Sequence, residues 1–283
     1  MVVAALEHVT FTYDSADEPS LVDVDLTIRP GILYGVVGAN ASGKSTLCAL
    51  IRGLIPTFHG GDLDGEVTVL GQRLDEWSAG DLSVRIGYVF QNPFTQISGV
   101  KDTVFEEIGM GMENLGRPVE EIIAAVADVV RTVGIEQLIG KDPNQLSGGQ
   151  RQKVAFASVL VMDPDVIVID EPTSQLDPES SDAIFSIIDG LKARGKTVLL
   201  AEHKIDLLAR YADEIIVLQD GRLRAVGPAR EILTSPELPG WGVPRPEVTE
   251  LALLLEQTGR RLPGLPLTRE EAARSLTERK AQR

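Results

Sequence analysis

A single cysteine, Cys48, occurs in 283 residues, so no internal disulfide can form. Cys48 falls inside an apolar helical pattern and reads as a small core residue. No apolar stretch approaches the ~18 residues that a membrane-spanning helix needs. The longest, Val154 to Met162, is about half that length. The first residues, Met-Val-Val-Ala-Ala-Leu-Glu, lack the basic region of a signal peptide. A surplus of basic charge is also missing. The net charge of −15 argues against a general nucleic-acid binder, which would carry a basic patch, and reports instead on solubility. Internal repeats and low-complexity tracts are absent. These absences predict a soluble intracellular protein that acts at a membrane only by docking on something else. With 43% hydrophobic and 24% charged residues the composition is that of an ordinary globular chain, long enough for one large domain or two.

The chain is organised around residues 38 to 46, Gly38-Ala39-Asn40-Ala41-Ser42-Gly43-Lys44-Ser45-Thr46. They fit the phosphate-cradling pattern G-x-x-x-x-G-K-[ST]. Ile32 to Val37 upstream reads as a buried strand, and Leu47, Leu50, Ile51 and Leu54 downstream recur at helical spacing. Strand, glycine loop and helix is the order that turns backbone amides and the helix dipole onto a phosphate. In that geometry Lys44 bridges the β- and γ-phosphates of a nucleotide and the Ser45 hydroxyl ligates Mg²⁺.

Residues 2 to 28 read as antiparallel sheet. Val22, Val24, Leu26 and Ile28 alternate with polar neighbours, and Glu66 to Leu70 is expected to join them. Tyr13 lies in a turn-rich segment, where it either stacks on an adenine or covers a strand end. Ile86 to Phe90 is a second short apolar strand, ending at Gln91-Asn92-Pro93. The pattern is helical from there to about Met162. Thr103 and Glu106 form a capping box, and Pro118 opens a helix with Ile122, Ile123, Val126, Val130 and Val133 on one face. Leu146-Ser147-Gly148-Gly149-Gln150 is another small-residue turn running into a helix, hence a second anion-binding helix start.

Val166 to Ile169 is an apolar strand that delivers Asp170 and Glu171 at its C-terminal end, where α/β folds place ligands. Asp170 is placed to hold Mg²⁺, and Glu171 to polarise the attacking water. Ser174 to Pro178 caps the next helix. Thr197 to Ala201 is a further core strand, and His203 just beyond it can reach a γ-phosphate or its water. His8 and His59 have no such placement and read as incidental. Ile215–Leu218 and Leu223–Val226 form a hairpin around Asp220-Gly221. Prolines 228, 236, 239, 244 and 246 then mark a linker. Val248, Leu251, Ala252 and Leu255 make an amphipathic helix, and Thr268 with Glu271 caps another. From Glu256 onward seven basic and four acidic residues give a tail of opposite sign to the rest.

Together these motifs resemble the ATP-binding-cassette (ABC) ATPases over about residues 2 to 233, with the Leu-Ser-Gly-Gly-Gln signature the most specific of them. The resemblance implies an α/β P-loop NTPase. It would have a mixed parallel core sheet, an antiparallel β subdomain and a helical subdomain over about 91–162, within a cassette spanning 1–234. A linker and helical extension over 235–283 would serve dimer contact and add nothing to the chemistry. By the same resemblance Tyr13 stacks adenine, residues 38–46 bind the nucleotide, and Gln91 touches Mg²⁺ and relays to a membrane partner. Ser147, Gly148, Gly149 and Gln150 act on the γ-phosphate of the other protomer, Asp177 crosses the dimer interface, and His203 is the switch histidine. Ala41 stands where the family has glycine, and Gln175 where it has a small residue.

Phe90-Gln91-Asn92-Pro93 with Gln96, and Glu113-Asn114-Leu115-Gly116, are similar to the ATPases of energy-coupling-factor (ECF) transporters. So are Pro244–Leu251, Thr268–Ala273 and Glu202-His203-Lys204-Ile205-Asp206, whereas Phe94-Thr95 replaces the usual acid-rich pair. This narrower resemblance implies the motor of a vitamin or metal-ion importer on the cytoplasmic face of the cell membrane. ATP and Mg²⁺ would be bound, and the partners would be a second ABC ATPase protomer and integral membrane subunits, with no nucleic acid. Another ABC transporter class is the alternative. A soluble ABC protein of translation or DNA repair would show paired cassettes, coiled-coil or zinc insertions, or basic surfaces, and none is present.

Overall fold

The computed structural model describes residues 2–281 apart from Gln175, so the expectation attached to Gln175 lies outside the described residues. The chain begins with β1 (Ala4–Thr12), β2 (Leu21–Ile28), β3 (Leu33–Val37), α1 (Lys44–Arg52), β4 (Asp62–Val69) and β5 (Gln72–Arg73). It continues with α2 (Ala79–Arg85), β6 (Ile86–Val89), α3 (Pro93–Gln96), α4 (Val104–Asn114), α5 (Val119–Val133) and α6 (Gly148–Leu160). Then come β7 (Val166–Asp170), α7 (Pro178–Ala193), β8 (Thr197–Ala201), α8 (Ile205–Tyr211), β9 (Glu214–Gln219) and β10 (Arg222–Pro228). The chain closes with α9 (Ala229–Leu233), α10 (Glu247–Gln257) and α11 (Arg269–Ala281).

One sheet has six strands in the order β10-β9-β3-β8-β7-β6. Five run parallel and β10 is antiparallel at the edge. Every residue of β3, β7 and β8 is buried, as strands covered on both faces must be. Their period of two divides them between two cores. Leu33, Ile167, Ile169, Val198 and Leu200 face the helical side, packed with α4 to α7. Tyr34, Val36, Val168 and Leu199 face α1 and the second sheet, which has four antiparallel strands in the order β2-β1-β4-β5. The register pairs Val36 and Asp170 with Ala201 and Val89 with Ile169. The phosphate loop, the strand acids and the loop of Gln91 therefore emerge at one edge of the sheet.

Three expectations shift in detail. The alternation in β2 begins at Val24, because Asp23, at φ 51, interrupts the ladder and turns Leu21 rather than Val22 into the core. In α5 the buried face is Val126, Val129, Val130 and Val133, while Ile123 is exposed. In α10 Thr249 and Ala252 are the buried pair and Leu251 faces outward. The Thr249 hydroxyl is drawn in by donating to the Pro266 carbonyl at 2.6 Å.

The proline-rich stretch expected as a linker is a packed strap. Leu238 and Val243 are buried in the same core as Ile205 and Leu208 of α8. Proline fixes the path of the strap, and its apolar residues dock it.

Candidate functional site

β3 delivers the chain into the phosphate loop at Gly38, where a Cβ would stand 2.2 Å from the Leu218 carbonyl oxygen. Gly43, at φ 101, has the Ser20 carbonyl 2.7 Å from where its Cβ would be. Both positions admit only glycine. Between them Ala41 holds φ 60, a left-handed conformation that an L-residue adopts at a cost. Gly43 is the N-cap of α1 and makes no side-chain cap, so the first amides of α1 lack the usual acceptor. They border a cavity of about 420 Å³ lined by residues 40–46 with Ser20, Gln91 and Glu171. The buried Ser42 hydroxyl has no hydrogen-bond partner among the described residues. Orphaned donors and a buried cation in one basin suit a polyanion.

That cation is Lys44, 5% exposed, its Nζ donating to the carbonyls of Gly38 at 3.1 Å and Ala39 at 3.0 Å. Burial lowers its pKa, opposed by Glu171, whose Oε1 is 4.0 Å away. The Ser45 hydroxyl donates to Asp170 Oδ1 at 3.1 Å, and the Tyr88 hydroxyl to Oδ2 at 3.2 Å. Burial pushes the Asp170 carboxyl above its ordinary pKa, against the Ser45 bond that lowers it. A buried carboxylate held in this way lacks a full counter-charge. The oxygen donors Ser45 and Asp170, with Gln91 nearby, suit a hard divalent cation such as Mg²⁺.

Glu171 follows β7 at φ 44, a strained backbone fixed by its N–H bond to the Ala201 carbonyl at 2.9 Å. Its carboxylate accepts from Gln91 Nε2 at 2.7 Å and meets His203 Nε2 at 2.8 Å. The turn carrying His203 is pinned from below. Buried Glu202 accepts from the Thr173 hydroxyl at 2.8 Å and from the backbone of His203 at 2.9 Å. The structure thus brings together residues 40–46, Asp170, Glu171, Gln91 and His203. Tyr13 packs its ring edge-on to Phe11 and points its hydroxyl at Thr46 Oγ1, 3.3 Å away.

The signature residues do not line that cavity. Ser147 is the N-cap of α6, its hydroxyl accepting from Gln150 N while Gln150 Oε1 accepts from Ser147 N, a complete capping box. Asp177 caps α7 through Ser180. Gly149 lies against the same Ser180, whose Oγ would be 2.9 Å from a Cβ on the glycine. The Arg151 guanidinium stacks over the Phe94 ring at 4.1 Å and joins the signature helix to the Gln91 segment. His8 rests on Asp23 at 3.0 Å at the surface of the antiparallel sheet.

Sequence reasoning passed over Tyr88, Ser20 and the Thr173–Glu202 pair. Tyr88 reads as one of several apolar strand residues; only its pairing with Val168, two residues before Asp170 on the neighbouring strand, shows the use of its hydroxyl. Gln96 was singled out, and the structure shows why it is there. It accepts from Phe90 N and donates to the Tyr88 carbonyl, which sets the path of the chain into Gln91.

Residues 21–174 match the ABC transporter family. The chain is 37% identical to the energy-coupling factor transporter ATP-binding protein EcfA1 of Lactobacillus acidophilus, over 96% of this chain and 95% of that one. It is 39% identical to the nickel import ATP-binding protein NikO of Rhodobacter capsulatus, over 81% and 90%. Among solved structures it is similar to cbiO1 from Clostridium perfringens, part of the ABC transporter complex cbiONQ. The TM-score is 0.75 at 28% identity, covering 91% of this chain and 97% of that one. It is also similar to a dimeric ATP-binding cassette in a post-hydrolysis state bound to ADP and Pi, with TM-score 0.70 and 29% identity over 80% and 99%. Phosphate loop, strand acids, signature turn and these likenesses agree: the chain belongs to the ATP-hydrolysing, ATP-binding subunits of the ABC transporter family and is similar to those of ECF transporters.

Proposed function

We propose that this chain is the motor subunit of an ECF-type importer for a vitamin or metal ion, working at the cytoplasmic face of the cell membrane. The observation that carries the chemical part is the Glu171 carboxylate, shared between Gln91 and His203 beside a buried lysine. The nucleotide's triphosphate takes the basin over α1. Lys44 leaves the Gly38 and Ala39 carbonyls for the phosphate oxygens, and the first amides of α1 and the Ser42 hydroxyl gain acceptors. Tyr13 stacks on the adenine. Ser45, Asp170 and Gln91 would hold Mg²⁺, which supplies positive charge to the β- and γ-phosphate oxygens. Water attacks the γ-phosphorus as the bond to the bridging oxygen breaks; Glu171 accepts the water's proton, and His203 holds Glu171 and the γ-phosphate in line.

The Ser147 turn serves the γ-phosphate of a second protomer, identical or paralogous, so that two protomers head to tail complete two sites. Asp177 lies at the crossing between them. ATP closes this dimer and hydrolysis opens it, and the movement passes through the Gln91 segment to an integral membrane subunit. The solved dimer with ADP and Pi supports the shared site, and the names of the nickel-import and ECF relatives support transport. The test is purification of the chain from detergent-solubilised membranes of its own cell, with reconstitution into vesicles. The expected result is a complex with integral membrane subunits that takes up a vitamin or metal ion on ATP addition. A chain that hydrolyses ATP with no membrane subunit bound and no uptake would overturn the importer reading.

A further inference from the structure

The strap from Leu238 to Glu247 touches two walls of the site. Midway along it Gly242, at φ 77, lies against the phosphate loop: a Cβ on it would meet the Ala39 Cβ at 3.4 Å. Ala39 is one of the two residues whose carbonyls hold Lys44. At its C-terminal end the Glu247 N–H donates to Asp206 Oδ1 at 3.0 Å. Glu247 is the first residue of α10, and Pro246 before it makes no side-chain cap. Asp206 therefore caps α10 from another element. It lies in the first turn of α8, three residues beyond His203. Beneath that bond Val243 and Leu267 of the extension share a core with Ile205 and Leu208 of α8. Beside it a cleft of about 810 Å³ opens, with His203 and Asp206 on one wall and Arg245 and Arg269 on the other.

We infer that the strap is a brace for hydrolysis and that Asp206 is a positioning residue acting through it. Glu171 and His203 meet across 2.8 Å, and His203 stands on a turn that is exposed on the side of this cleft. The lower side of the turn is held by Glu202. Lys204 ties the turn to the Thr173 carbonyl at 3.2 Å and the Ser181 hydroxyl at 2.7 Å, and the docked extension holds α8 on the outer side, with Gly242 of the strap against the phosphate loop. Loosening the strap at Asp206 lets α8 shift against β7 and lengthens the Glu171–His203 contact, while the phosphate-binding surfaces stay in place. The extension then bears on turnover, contrary to the expectation that it adds nothing to the chemistry. The inference rests on the role given to His203 above and on no assumption about cargo.

The test uses the full chain with Asp206→Ala, Asp206→Asn and His203→Ala, measuring kcat and KM for ATP beside the thermal midpoint. Asp206→Ala should lower kcat about threefold to tenfold, the reach of one hydrogen bond in a positioning role, with KM within about twofold and the midpoint lower by roughly 2 °C for the lost cap of α10. Asp206→Asn keeps an acceptor oxygen for the Glu247 N–H and should restore the parent kcat. An Asp206→Ala protein at the parent kcat, or an Asp206→Asn protein as slow as the alanine variant, overturns the brace. A fall in midpoint large enough to leave part of the protein unfolded at the assay temperature, with kcat lost in proportion, reduces Asp206 to ordinary stability and overturns it too. His203→Ala separates the two readings. If it runs at the parent rate, the role of His203 is wrong and the brace falls with it; if it stalls while Asp206→Ala does not, the brace alone is wrong.

Discussion

Two helix starts, α1 at Gly43 and α6 at Ser147, look alike in sequence: each is a small-residue turn that runs into a helix with no acid in its first turn. In the fold they differ. The α1 start makes no side-chain cap and opens on a cavity that holds Lys44. The α6 start satisfies its own amides through Ser147 and Gln150, away from that cavity. A helix end without a cap is costly unless something else supplies acceptors, whereas a capped one is stable by itself. α1 is therefore arranged around an anion bound within this chain. In the proposed head-to-tail dimer α6 takes one from the other protomer and exchanges its internal cap for it.

The largest effect that would sharpen this contrast is expected from Glu171→Gln. The amide keeps the shape and still bonds water but cannot take its proton, so turnover should fall roughly 10²- to 10⁴-fold, the range of general-base assistance. Nucleotide binding at α1 should survive, and the protein should accumulate as an ATP-bound dimer. Adding Ser147→Arg, which blocks the α6 start, should dissolve that dimer. Size-exclusion chromatography with ATP and Mg²⁺, beside a phosphate-release assay, reads both. A stalled variant that stays monomeric would break the comparison, because α6 would then not be an anion site in trans.

Lys44→Ala addresses the other helix start. It removes the one side-chain cation that the described residues place in the cavity of α1. A lost pair of charge-assisted hydrogen bonds to phosphate should weaken ATP affinity about 10²-fold or more. Equilibrium titration decides it, and unchanged affinity would deny α1 the primary phosphate.

How far this site could be read in the sequence follows from the same contrast. Gly38–Thr46, Asp170, Glu171 and His203 were legible because each sits at the end of a short apolar strand, and parallel sheets bring such ends to one edge. The second helix start was legible as a turn, but whether it was capped depends on which way the Ser147 and Gln150 side chains fold. Tyr88 was hidden because its partner Asp170 lies 82 positions away on a neighbouring strand. The strap was misread for a related reason. Prolines carry the local signature of a linker, and only the burial of Leu238 and Val243 in the shared core shows that it is docked. Long-range packing of this kind leaves no period to count.

Ser147→Ala tests the closed box directly, in the absence of nucleotide. Loss of an N-cap serine costs about 1 kcal/mol, which for a chain of this size lowers the thermal midpoint by roughly 2 °C. Gln150→Ala, which opens the other half of the box, should act in the same direction. Midpoints equal to the parent's would show that the box is not formed at rest, and the two helix starts would then be more alike than the structure has them.

The smallest expected effect concerns strain within the α1 loop itself. Ala41 holds φ 60 in the place where the family has glycine. An L-residue in that conformation costs roughly 1–2 kcal/mol that glycine does not pay. Glycine returns part of this through the greater freedom of its unfolded chain, about 0.4–1 kcal/mol. Ala41→Gly should therefore stabilise the protein by about 0.5 kcal/mol and raise the midpoint by roughly 1 °C. Because Ala41 is exposed and contributes only backbone to the basin, ATP affinity should stay within about twofold of the parent. A clear gain in affinity would mean that alanine holds the loop off its phosphate-bound shape, and α1 would then be less ready for its anion than its bare cap suggests. A fall in midpoint would mean that the loop relies on Ala41 to stay folded over Ser42 when no phosphate is bound.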